Sequence, residues 1–196
     1  MTKNELPLSK DEILDAAEQV LRRYGPDKTS VVDIAKILQV SHGTLYRHFE
    51  SKVALREAVT SRWLHNCIVM PLEAIASKTG GRAEERLRLW VETLIQTKRK
   101  FAAEDTEMFA MYATVTVIEV EMINTHVYRL IEQIAQILER GMANREFKQG
   151  DSDSLARAIF LATSRFHHPS HAAEWGVGSM TEDFESVWKL LLGGLT

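Results

Sequence analysis

With a single cysteine, Cys67, the chain has no internal disulfide, so its cohesion must come from burying apolar side chains. Four prolines among 196 residues leave long stretches free to be helical. No run of about 18 apolar residues occurs, which excludes a membrane-spanning helix. The opening MTKNELPLSKDE lacks the apolar core of a signal peptide, so a reducing cytoplasmic setting is expected. A net charge of −3 argues against a protein that coats nucleic acid indiscriminately. Any such affinity has to come from a local basic face. No paired carboxylates, no Ser/His/Asp set and no phosphate-cradling glycine loop stand out, so no enzyme class is indicated. No cofactor is implied either.

What the chain does have is helical periodicity along almost its whole length, over a composition 45% hydrophobic and 26% charged. Ser9 and Glu12 form a capping box before the stripe Ile13, Leu14, Ala17, Val20, Leu21 and Tyr24, and Gly25-Pro26 should end that helix. Thr29 or Ser30 caps a second helix with Val31, Ile34, Ala35 and Leu38 inward. Ser41 caps a short third helix held by Leu45 and Phe49. Ser51 opens a fourth through Leu55, Val59 and Trp63, with a kink or stop at Pro71. Thr79-Gly80-Gly81 is a break. A long helix then carries Leu87, Trp90, Val91, Leu94, Ile95 and Phe101, and a shorter one spans about 105 to 113. VTVIEV, at 115–120, has strand propensity but no partner strand and reads as a helix junction. Further helices carry Ile123 to Leu138, then Leu155 to Phe166 with a stop at His168-Pro169. A last helix holds Phe184 to Leu191 and ends at Gly193-Gly194. The fold class is all-α, with about nine helices.

The stretch TSVVDIAKILQVSHGTLYRHF, 29–49, has the form of two short helices around a tight turn. That is the build of a helix-turn-helix, whose second helix lies in a DNA major groove. Ser41, His42 and Gly43 sit at its leading end, where side chains meet base edges, and Gly43 lets the backbone approach the duplex. Thr44 suits a phosphate or a thymine methyl. Arg47 suits guanine or a phosphate. Tyr46 offers a phenol on a stiff arm. His48 and Lys52 suit phosphate, and Ser30 or Thr29 would do the same at the preceding helix.

The string VVDIAKILQVSHGTLYRHFESKVAL resembles the DNA-binding domain of TetR-family transcriptional regulators. The supporting signals are the Ile-Ala pair, the Val-Ser-x-Gly-Thr-Leu-Tyr-x-His-Phe recognition helix and the Ser-Lys that follows it. The resemblance covers about the first third of the chain. It implies a homeodomain-like three-helix domain over 1–50, with the helix-turn-helix near 29–48. It also implies a bridge helix over 51–78, opening a ligand-binding and dimerisation bundle over 51–196. The function implied is a homodimeric, ligand-responsive repressor on a (pseudo)palindromic double-stranded DNA operator, with a small-molecule effector. An activator, a metal-responsive regulator, a helical metal-dependent enzyme and a sequence-indifferent DNA binder stand as alternatives. Two departures from the family pattern occur. Gln39 stands where glycine is usual in the turn, at a cost of about 1 kcal/mol if φ is positive. His42 stands where a basic residue or proline is common.

The resemblance places dimer pairing in the last two long helices. Ala156, Ile159, Phe160 and Thr163 on one, and Phe184, Val187, Trp188 and Leu191 on the other, are the expected contacts. It places the effector among the middle helices, where Trp63, Cys67, Met70, Trp90, Phe109, Met111, Tyr112, Met122, His126, Phe166 and His167 are the expected lining. That set favours a hydrophobic or amphipathic molecule. His167, His168 and His171 cluster in sequence. Pro169 interrupts any regular i, i+4 pair between them and no carboxylate follows at diagnostic spacing, so no metal is assigned.

Overall fold

The computed structural model describes residues 8–118, 120–176 and 178–196. Among them are eleven α-helices and no strand. The first three are α1 (Lys10–Lys28), α2 (Val31–Leu38) and α3 (His42–Tyr46). The bridge is α4 (Lys52–Leu64), a π-helical turn (His65–Val69) and α5 (Met70–Ala76). Then come α6 (Ala83–Glu104), α7 (Thr106–Ile118), α8 (Val120–Ala143), α9 (Ser152–Ala162) and α10 (Ser164–His167). A 3₁₀ segment (Pro169–Glu174) leads to α11 (Met180–Leu195). Read across the π turn and across Thr163, α4 with α5 and α9 with α10 become single interrupted helices. That accounts for nine expected against eleven observed.

The N-terminal caps form where the sequence places them. Ser9 Oγ accepts from the Glu12 amide while the Glu12 carboxylate accepts from the Ser9 amide. Ser30, Ser41 and Ser51 each accept from the amide three residues on. Thr29 is not a cap of α2. It is buried, and its hydroxyl donates to the Gly25 carbonyl at 2.7 Å. Gly25 interrupts α1 with φ 78°, and one more helical turn follows through Pro26, so Gly25-Pro26 kinks α1 rather than ending it. Gln39 occupies the left-handed region at φ 55°, and its amide donates to the end of α2. The turn thus accepts the strain anticipated for a side chain there.

Pro71 does not stop the bridge. Upstream the helix widens by one residue, and the Met70 amide donates to the His65 carbonyl, five residues back. The widened turn is held from outside: Gln133 on α8 donates to the Val69 carbonyl at 3.1 Å and accepts from Trp90 Nε1 at 2.9 Å. The 115–120 stretch is divided. Val115 to Ile118 close α7 and Val120 opens α8, while Glu119 lies outside the described residues. α11 runs on through Gly193-Gly194 to Leu195, so that glycine pair does not end it.

One core joins the N-terminal helices to the rest. Ile13, Ala17, Val20 and Leu21 of α1 bury together with Ile34, Leu45, Leu55 and Val59. The other face of α1 lies along α7. Arg22 on α1 grips Asp105 at the start of α7 through two guanidinium nitrogens, at 3.1–3.2 Å. Arg62 on α4 reaches Asp15 and Glu18 of α1, each at 2.8 Å. The kink at Gly25 favours glycine because its φ of 78° lies in the left-handed region, and a Cβ there would also press on the Glu107 carboxylate at 2.6 Å.

α8 closes against the start of α6 through Gly141, where a Cβ would sit 2.3 Å from Phe147 and 2.8 Å from Ala83. Gly141→Ala should therefore destabilise the fold by about 1–3 kcal/mol through overpacking. Urea unfolding followed by tryptophan fluorescence measures this, and an unchanged midpoint would contradict the close packing.

Candidate nucleic-acid interface and interior cluster

α3 is short because only Leu45 anchors it fully; Phe49, just beyond its end, is half-buried. Everything else on its outer side is free for a ligand. Ser41, His42, Gly43, Tyr46 and Arg47 are exposed, and Thr44 and His48 are half-buried. Ser41 and Thr44 hydroxyls lie 3.0 Å apart, and Arg47 donates to Thr44 at 3.3 Å. This polar row runs along one face of α3. Lys52 is exposed at the start of α4 and Ser30 is half-buried at the start of α2. Of the ten residues expected to touch DNA, Thr29 is the one turned inward.

The two residue sets of the C-terminal bundle distribute differently. Ala156, Ile159, Phe160, Thr163, Phe184 and Trp188 are buried within their own subunit, and Val187 and Leu191 are half-buried. Phe184 packs on Phe166 and Trp188, and Arg88 of α6 lies 5.8 Å over the Trp188 ring. The large apolar side chains that α9 and α11 leave outward are Leu161, 62% exposed, and Leu190, 78% exposed.

Among the residues expected to line a cavity, Trp63, Trp90, Phe109, Met111, Tyr112, His126, Phe166 and His167 are buried. Cys67 and Met122 are half-buried, and Met70 points outward. Trp63, Phe101, Phe109, Tyr112 and Trp175 pack edge-on or tilted against one another and fill much of the middle of the bundle. A cavity of about 130 Å³ remains between the bridge and α8, lined by Met122 and His126 together with Ser61, Leu64, His65, Val69, Thr125 and Arg129. A shallow polar groove of about 770 Å³ continues from it along α8, past Tyr128, Gln133 and Glu139.

The interior also holds a residue that the sequence reading passed over. Lys98 is 2% exposed and donates to the Tyr112 hydroxyl, with its Nζ 4.5 Å from the centre of that ring. Its position was legible: it continues the α6 stripe of Leu94, Ile95 and Phe101 at helical spacing. Burial holds its pKa down to about 7. Burial also lowers the pKa of His126, 6% exposed, and of His167, 1% exposed, and keeps both rings neutral, with Lys98 adding to the effect. His167 is held down to about 3 and His126 well below its usual value. His167, His168 and His171 do not converge: their rings turn to Thr163, Ser170 and Glu174 respectively. Among the described residues no group of three or more His, Cys, Asp or Glu could hold a metal. No described helix is long and apolar enough to cross a membrane.

A short, outward polar helix set across a left-handed turn, on a purely helical body, defines a helix-turn-helix regulator of transcription. Two family models match the chain: "Bacterial regulatory proteins, tetR family" over residues 13–59 and "Tetracyclin repressor-like, C-terminal domain" over residues 83–188. The chain belongs to the TetR family of transcriptional regulators. An HTH-type transcriptional regulator of Mycobacterium tuberculosis (strain ATCC 25618 / H37Rv) is 44% identical over 55 residues. That match spans 28% of this chain and 27% of the relative. The fatty acid metabolism regulator protein of Bacillus subtilis (strain 168) is 28% identical over 196 aligned positions, covering 94% of each chain. The crystal structure of the transcriptional regulator FadR from Bacillus subtilis in complex with stearoyl-CoA superposes with a TM-score of 0.64. It does so at 22% identity, over 96% of this chain and 100% of that one.

The buried bases fix the sign of a pH dependence. Lys98 is protonated in the unfolded chain up to about pH 10.5 but in the fold only up to about 7. The unfolded state therefore binds more protons between those values, and stability rises with pH across that window. His167 extends the same sign from its ordinary 6.5 down to about 3, so stability falls further on acidification. Urea midpoints should therefore increase from pH 5.5 to 7 to 9, and Lys98→Met should flatten the limb between 7 and 9. A wild-type midpoint that declines from 7 to 9 would contradict the burial of an unpaired lysine.

Proposed function

We propose that this chain is a dimeric repressor that binds a (pseudo)palindromic operator and leaves it when a small hydrophobic effector occupies the bundle. Its working parts are a DNA-reading head over 1–50 and an effector-binding and dimerising body over 51–196, with 51–78 as the bridge. The observation that carries this reading is the exposed polar row from Ser41 to Arg47 on a helix anchored from below by Leu45. His42 and Arg47 read bases from that row. Ser30, Thr44, Tyr46, His48 and Lys52 hold phosphates. One head makes few phosphate contacts and binds loosely, so two heads about 34–36 Å apart, one DNA turn, are needed for a specific complex. Pairing of α9 and α11 with a second copy supplies that spacing, with Leu161 and Leu190 as the outward apolar contacts.

Release requires that the effector bind one arrangement of the helices better than another. Two elements carry the signal from body to head. The bridge connects directly to α3. α7 lines the interior with Tyr112 at its middle, and Asp105 at its start holds α1 through Arg22. A coupling of about 3 kcal/mol is enough to change operator affinity by roughly a hundredfold. Relatives whose structures hold acyl-CoA make an acyl chain a reasonable first effector to try.

Selection of bound sequences from a random duplex pool, followed by gel shift and sedimentation, tests the reading. An inverted repeat bound by two chains is expected, with specific affinity at least a thousandfold above random duplex at physiological salt. Equal affinity for random duplex would overturn it. Arg47→Ala should weaken operator binding by about 1–3 kcal/mol and relax preference at one base pair per half-site. A uniform loss on every sequence would assign Arg47 to phosphate instead.

A further inference from the structure

The interior between α4, α6, α7 and α8 is rich in hydrogen-bond donors and short of acceptors. Lys98 offers three N–H bonds, and Tyr112 accepts one. Among the described residues no carboxylate pairs with it. The buried Trp63 Nε1–H has no acceptor there, and neither does His126 Nε2 when that nitrogen carries the ring proton. A buried ammonium without a counterion is costly, and unmatched donors around it add to that cost. One chemical group cancels both deficits: a carboxylate, which accepts several hydrogen bonds and carries the missing charge.

The geometry also provides an approach. His126 forms part of the wall of the 130 Å³ cavity beside the bridge, and Arg129 lines the same cavity with its guanidinium 3.5 Å from His65 Nδ1. Its volume is that of roughly four waters at about 30 Å³ each, enough for a carboxylate and a short apolar stem. The Tyr112 ring stands edge-on to His126 at 6.3 Å, and Lys98 donates to the hydroxyl of the same tyrosine. His126 thus joins the wall of the cavity to the cluster around Lys98, which is not itself part of that wall.

We infer that this interior is an anion-recognition site for a hydrophobic acid, whose free carboxylate passes Arg129 and His126 and becomes the counterion of Lys98. Calling that acid the effector rests on the regulator reading above; the binding site itself does not. A coenzyme A thioester or a methyl ester has no charge at the carbon concerned and leaves Lys98 unpaired. Lys98 and His126 set which class of molecule the bundle accepts, and the aromatic packing around them sets how large it can be.

Titration calorimetry on the full chain without DNA tests this. The probes are acetate, butyrate, octanoate, benzoate and phenylacetate, each paired with its methyl ester, and octanoyl-CoA. At least one acid should bind with one site per chain, at least tenfold tighter than its ester. Lys98→Met should weaken that acid at least tenfold and leave the ester unchanged, and His126→Leu should act in the same direction. Failure of all five acids to bind overturns the inference. So does equal affinity for acid and ester, or full acid affinity in a folded Lys98→Met chain. Should neither variant fold, the acid-to-ester ratio on the wild-type chain decides alone. Because no operator enters the measurement, acid binding without DNA specificity would sink the repressor reading and spare this one, and the reverse result would do the opposite.

Discussion

The clasp between α1 and the body is the constraint on which the rest of the structure depends. Glu18 is shared by Arg22 and Arg62, Arg22 reaches on to Asp105, and Gly25 gives way to Glu107. Each exposed ion pair contributes little by itself. Here they flank a continuous apolar seam in which Val20 and Leu21 are fully covered. The charges fix register and the apolar seam supplies the adhesion. A head tethered only by the bridge would swivel freely. One tied along α1 as well can move only as α7 and α4 move.

That arrangement makes α7 as important as the bridge for any signal. The same helix that meets α1 at its first turn carries Tyr112 against Lys98 seven residues later. Two turns of helix therefore separate the clasp from the least comfortable charge in the molecule. Lys98 is held by the Tyr112 hydroxyl, and Tyr112 sits in the middle of α7.

The all-helical character, the serine caps and the turn at Gln39 were legible because they rest on local chemistry: a hydroxyl three residues before an amide, or a backbone angle. The exposed row on α3 was legible for the same reason, since a five-residue helix has one anchor and the remaining side chains face out. Thr29 misled because two hydroxyls in succession both suit a cap, and only the fold decides which one closes the preceding helix. The dimer residues were chosen by bulk and period, which mark the side of a helix that is buried without saying against what. Lys98 lies squarely on the α6 stripe, and a charge in an apolar row is itself the signal of a buried ammonium. Pro71 was expected to bend the bridge; a side chain 64 residues away, Gln133, braces the widened turn beside it.

The widened turn at His65–Val69 has a consequence of its own. It carries one residue more than a regular helix needs, and that surplus sets the rotational phase between Trp63, which faces the interior, and Leu72, which does the same farther along. Each residue of an α-helix advances about 100° around the axis. A chain one residue shorter here would close as plain helix and turn one half of the rod by that angle against the other, carrying its buried row out to water. Between Leu64 and Pro71, then, it is the number of residues more than their identity that the architecture holds fixed.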